Sequence, residues 1–147
     1  MEYNDFSNLV TGINSLELAA KDKGLAKLGD ELINFCFSLA KSIFMKKCTG
    51  EKVSAKILTK AMKASNLRNY AKLRAKSHDI ADAAESIIAY SFLKGNVTIE
   101  EMTDRLLAGY TKYNGNGILS EGLDCQALTV LLIHLRKKAE IYPKEEN

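Results

Sequence analysis

The sequence predicts an all-α domain, and three observations carry that prediction. Ala, Leu, Lys and Glu dominate while β-branched runs are few, a composition that favours helix over strand. The single proline, Pro143, lies near the C-terminus, so nothing of that kind interrupts helices elsewhere. Apolar residues recur every three or four positions, the spacing of a helical stripe. At 147 residues, 46% of them hydrophobic, the chain is long enough to bury one core. One domain is expected over residues 1–142, with a frayed tail over 143–147.

Phe6, Leu9, Val10, Ile13 and Leu16 predict a first helix over about Asn4 to Ala20, capped by Asn4 or Ser7. From Lys23 to Lys47, Leu25, Leu28, Leu32, Phe35, Cys36, Leu39 and Ile43 form one stripe, and Ile33, Phe37 and Phe44 fall opposite it. A helix apolar on two sides is expected to run through the core. Asp30 sits on the second side, where a buried carboxylate requires a cationic partner, either a metal, a Lys or an Arg. Thr49-Gly50 is expected to end this region. Val53, Ile57, Leu58, Ala61 and Met62 then predict an amphipathic helix whose polar face is Lys52, Lys56, Lys60 and Lys63.

Ser77 is expected to cap a helix over about His78 to Lys94, stopped by Gly95-Asn96. Ile80, Ala81, Ala84, Ile87, Ile88, Ala89 and Phe92 surround its axis almost completely, so it reads as buried. Its acids Asp82 and Glu85, three apart, share one face. Thr98-Ile99-Glu100-Glu101 is a capping box that opens a helix through about Tyr110. The loop Asn114-Gly115-Asn116-Gly117 follows, but Lys112 and Leu123 stand where a calcium loop needs its first and last ligands. Ser120 or Glu121 begins a last helix that ends before Pro143.

Charge is unevenly spread. The net charge is +3, yet eleven Lys and Arg lie between Lys41 and Lys76 against the single acid Glu51. Such a field attracts polyanions. Lys52, Lys56, Lys60 and Lys63, extended by Arg68, Lys72, Arg74 and Lys76, are therefore read as a phosphate-contacting surface, the alternative being a solvated helix face. Three cysteines, Cys36, Cys48 and Cys125, form no Cys-x-x-Cys pair and cannot all be bridged, which points to a reducing compartment. No apolar run approaches the ~18 residues of a membrane span, and no basic start precedes an apolar segment. A cytoplasmic protein without a membrane partner is expected.

Asp30, Asp82 and Glu85 place three oxygen donors on two helices that both read as buried. Hard oxygens of this kind hold Mg²⁺ or Mn²⁺, and a metal so held lowers the pKa of a water and stabilises charge on a phosphoryl oxygen. The alternative is structural, with Asp82 and Glu85 as exposed helix acids and Asp30 paired to Lys27 or Lys72. His78 and His134 are isolated; the first reads as a helix-start residue and the second as core or surface. Asn34, one turn beyond Asp30 on the same face, reads as a residue that orients a water or, equally, as a helix-surface amide.

The wording of two stretches adds to this. Leu25-Ala26-Lys27-Leu28-Gly29-Asp30 resembles the Leu-Glu-Phe-Leu-Gly-Asp core of the ribonuclease III signature. Ala81-Asp82-Ala83-Ala84-Glu85-Ser86-Ile87-Ile88-Ala89-Tyr90-Ser91-Phe92-Leu93 resembles that family's second motif, Ala-Asp-x-x-Glu-Ala-Leu-x-Gly-Ala followed by an aromatic and Leu. The resemblance implies an all-helical endonuclease domain that forms a homodimer, with a cleft for double-stranded or hairpin RNA and one Mg²⁺-dependent site per protomer. It matches Asp30, Asp82 and Glu85 to metal-binding, catalytic carboxylates. It also exposes a departure: the family carboxylate four residues before the aspartate is here Ala26, and Lys27 replaces an aromatic. The family's compact "mini" members, similar in length, carry an alanine there as well and cleave RNA. With no room for an appended double-stranded RNA-binding domain, Lys52 to Lys76 would supply most of the phosphate grip, which predicts salt-dependent binding. The competing expectations are a catalytically weak or inactive module that binds structured RNA, motivated by Ala26, and a plain helical interaction protein.

Overall fold

A computed structural model of the chain describes residues 5–113 and 120–141. The Asn4 cap, the loop at 114–117, Pro143 and the expected tail lie outside them. The described residues contain six α-helices and no strand: α1 (Leu16–Ala19), α2 (Lys23–Met45), α3 (Ala55–Ala64), α4 (Ser77–Leu93), α5 (Ile99–Tyr113) and α6 (Glu121–Ile141). None is long and apolar enough to cross a membrane.

Helix α4 is the hub. Ile80, Ala81, Ala83, Ala84, Ile87, Ile88 and Ala89 are buried around its whole circumference, and α1, α2, α3 and α6 all pack on it. Small alanines let these neighbours approach closely. At Gly29 of α2 the approach reaches a limit: a Cβ there would lie 1.8 Å from the backbone carbonyl oxygen of Glu85. The glycine before Asp30 is thus the residue that lets α2 and α4 touch backbone to backbone.

The first predicted helix is two pieces. A 3₁₀ turn over Phe6–Val10 is capped by Asp5, whose side chain accepts from the Ser7 amide. Gly12, at φ +89°, breaks the path before α1, because a left-handed residue cannot continue a right-handed helix. Helix α2 ends at Met45 with Lys46 in the left-handed region (φ 56°), so Lys46 and not Thr49-Gly50 performs the stop. Ser77 is the first residue of α4 and not its cap; its hydroxyl lies 3.0 Å from that of Thr59. The Thr98 cap forms, with the Glu101 amide donating to its Oγ1 at 3.0 Å. The Glu101 carboxylate does not turn back to the cap but reaches His134 and Lys138 on α6, which hold it below its ordinary range against the opposing effect of burial.

After Lys46 the chain doubles back along α2 and is fastened to it side chain by side chain. The Thr49 amide donates to Ser42 Oγ (2.9 Å), the Glu51 amide to Ser38 Oγ (2.9 Å) and the Val53 amide to Asn34 Oδ1 (2.8 Å). Four residues of helix advance about 6 Å and two of extended chain about 6.6 Å, so every fourth residue of α2 meets every second residue of the return segment. Asp30 begins the same row, accepting from Asn34 Nδ2 at 3.0 Å.

Lys41 is buried. Its ammonium pairs with Glu51 and with Asp124 of α6 (3.3 Å) and sits over the Phe37 ring, while Tyr110 Oη donates to Asp124 at 2.7 Å. This residue of the basic segment is therefore a core brace and not part of a surface field. Replacing Lys41 with Met is expected to lower stability by about 3 kcal/mol or more, because Asp124 keeps its charge inside without a cation; urea unfolding checks this.

Candidate functional site

Helix α2 was expected to be buried on two sides, with Leu25, Leu28, Leu32, Phe35, Cys36, Leu39 and Ile43 on one and Ile33, Phe37 and Phe44 on the other. The second side packs on the core, joined by Leu25 and Cys36 of the first. Ile33 and Phe37 are fully buried, whereas Leu28, Phe35 and Ile43 are 43%, 54% and 53% exposed, with Leu32 and Leu39 half-buried between them. Asp30 lies at the edge of the packed face and is exposed, not enclosed by Ile33, Phe37 and Phe44. It opens into a cleft of ≈ 390 Å³ together with Asp82 and Glu85.

Local chemistry sets these three acids. Asp22 caps α2 by accepting from the Leu25 amide at 2.8 Å, and its own carbonyl accepts from Ser86 Oγ of α4 at 2.9 Å. The start of α2 is thereby tied to the turn of α4 that carries Asp82 and Glu85. Glu85 is buried and Asp82 half-buried. Burial, a hydrogen bond from the Glu85 carboxyl to Asp30, and the charges of Asp30 and Asp82 together push Glu85 up to about 8. Such a shift marks carboxyls crowded at one place with no counter-charge on Glu85 itself. Asp82 Oδ2 is 3.6 Å from the Lys23 ammonium and 3.5 Å from His78 Nε2.

Among the described residues, no group of three His, Cys, Asp or Glu is gathered as tightly as a formed metal site requires. The donor chemistry nonetheless fits a hard divalent cation: three carboxyls and no soft ligand. Lys27 lines the cleft without pairing to Asp30 in the described contacts, and Ala26 lines it with no donor. His78, read from the sequence as an isolated helix-start residue, has Asp82 as its partner, and Lys23 escaped the sequence reading. The i, i+4 spacing of His78 and Asp82 was the available signal, while the Lys23 contact depends on how α2 crosses α4.

The basic residues divide. Lys56, Lys60 and Lys63 are exposed along α3, whose Ala55 and Leu58 wall the cleft, while Lys52, expected on the same helix, is exposed on the segment before it. They are less free than the sequence implies, since Glu121 of α6 meets Lys56 at 3.0 Å and Lys60 at 4.0 Å. Arg68 is half-buried and donates to the carbonyls of Lys72 (3.0 Å) and Leu73 (3.3 Å), so it braces its own loop. Lys72, Arg74 and Lys76 are exposed on the stretch that leads into α4.

No curated protein matches the chain significantly. A family model described as Ribonuclease III matches residues 23–141, a span that begins at the first residue of α2 and takes in all three acids of the cleft. With that coverage and an all-helical fold, the chain belongs to the ribonuclease III family.

Proposed function

We propose that this protein is a divalent-metal-dependent endoribonuclease that hydrolyses phosphodiester bonds in double-stranded or hairpin RNA, with Asp30, Asp82 and Glu85 as its metal-binding carboxylates. The observation that supports this reading most is the convergence of those acids from α2 and α4 in one cleft, with Glu85 pushed up to about 8. Mg²⁺, or Mn²⁺ in its place, would supply the charge that activates a water and steadies the phosphoryl oxygens. The chain's own part is positional. Asn34 holds Asp30, Ser86 and Asp22 lock α2 to α4, and the exposed lysines of α3 with Lys72, Arg74 and Lys76 offer phosphate contacts along the approach.

The family acts on double-stranded RNA and typically dimerises. The exposed apolar residues Leu28, Phe35 and Ile43 of α2, with half-buried Leu32 and Leu39 between them, support a homodimer built on this helix, because an apolar row of this kind calls for a cover. Phe35→Asp is expected to turn a dimer into a monomer in sedimentation while the helical circular dichroism is retained.

One assay tests the activity: a long perfectly paired RNA at low salt with Mg²⁺, against a chelator and against Asp82→Asn. Metal-dependent cutting that the variant loses supports the enzyme. Retarded migration without cutting supports the second reading, an RNA-binding module, which Ala26 favours by removing one family carboxylate. Binding is expected to weaken steeply with salt.

A further inference from the structure

The inference concerns Lys23 and rests on the function proposed above. Lys23 is the first residue of α2. Its side chain is 69% exposed, its ammonium is 3.6 Å from Asp82, and it lines the cleft with Lys27 and the three acids. An exposed pair of this kind adds little to stability, so the lysine is not needed to hold the fold. Its long stem leaves the ammonium free to change partners. Ala26, one turn along the same wall, contributes only a methyl group.

Charge counting shows what such a lysine can do. Asp30, Asp82 and Glu85, all ionised around one divalent cation, leave a net charge of −1, and a phosphodiester entering the cleft brings another. The repulsion must be met locally, and the cations that line the cleft are Lys23, Lys27 and, when protonated, His78. Of these, Lys23 and His78 are engaged with Asp82.

We propose that Lys23 is a phosphate-contacting residue of this cleft: it competes with the divalent cation for Asp82, and once displaced it donates from its ammonium to a non-bridging oxygen of the bound phosphodiester. It thus offsets part of the negative charge in a cleft that holds Ala26 beside it.

The test uses the full chain with K23Q and K23R and reads two quantities that move in opposite directions. Removing the competing ammonium is expected to tighten Mg²⁺ binding in calorimetry, without RNA, by about 3- to 10-fold. Losing the phosphate contact is expected to slow single-turnover cutting at saturating Mg²⁺ and RNA by about 10- to 100-fold. K23R should restore most of the cutting. Unchanged or faster cutting in K23Q overturns the phosphate contact and leaves a counter-ion of Asp82. Loss of both Mg²⁺ binding and cutting overturns it in favour of a structural role. If the wild-type protein does not cut RNA, the proposed function fails on its own account. Inorganic phosphate titrated with Mg²⁺ present then decides: a saturable shift of the Lys23 side-chain resonances in NMR supports the contact, and its absence overturns it.

Discussion

Glu85→Gln is expected to abolish metal-dependent cutting, by ~10³-fold or more if the carboxylate binds the ion that stabilises the transition state, and to leave the fold as stable or more so. Both effects follow from one position. Glu85 is raised from an ordinary carboxyl to about 8 by burial and by Asp30 and Asp82, so the folded chain prefers it protonated and neutral. The stability that this proton provides is full below the ordinary carboxyl range and is lost as pH rises through about 8, because the unfolded chain releases the proton more readily. Glutamine imitates the protonated form at every pH. Wild-type protein in chelator should therefore lose thermal stability as pH rises from the ordinary carboxyl value of 4.5 to about 8, and the variant should lose less. Added Mg²⁺ should stabilise the wild type most at the alkaline end, where no proton has to be expelled to bind it. Melting curves against pH, with and without Mg²⁺, check each part; a variant that cuts RNA at the wild-type rate would remove Glu85 from the site.

Gly29→Ala is expected to be the most damaging glycine-to-alanine change among the described residues. Alanine gains up to about 1 kcal/mol in helix propensity over glycine, which alone would stabilise α2. The added Cβ, however, would stand 1.8 Å from the Glu85 carbonyl oxygen, and backbone cannot rotate away as a flexible side chain can. Helices α2 and α4 must part, and Asp30 must separate from Glu85. Overpacking of this kind costs about 3 kcal/mol at the upper end of its usual range, so the clash wins. Urea unfolding should show a net loss, and the alkaline shift of Glu85 should shrink as Asp30 withdraws and the contact that buries Glu85 opens, while Asp82 stays beside it on α4.

Periodicity made the helices after Ala20 legible, as well as the buried character of α4, because apolar residues on every side of an axis have one physical explanation. It could not say which of the two apolar faces of α2 meets the core. That choice depends on Gly29 and on the alanines of α4, which matter by the side chain they lack. Termini of elements were read from the residues that usually serve them, and the chain used others: Asp5 in place of Asn4 or Ser7, and Lys46 in place of Gly50. Asp30, Asp82 and Glu85 were legible as acids on two helices, and their meeting in one cleft is visible only in three dimensions. Lys41 and Glu121 show the converse limit, since a basic run in the sequence does not reveal that one of its members is buried and two others face an acid from α6.

The fastening of residues 49–53 to α2 makes that hairpin a ruler of fixed length. Its alternate amides engage Ser42, Ser38 and Asn34 in turn, so deleting or inserting one residue between Thr49 and Val53 would present the wrong edge of the return segment to the whole row. Asn34 would lose its backbone donor and, with it, its hold on Asp30. Natural length variation should therefore be tolerated at other turns of the molecule and rejected at this one, where a surface connection sets the calibration of a carboxylate cluster in the neighbouring cleft.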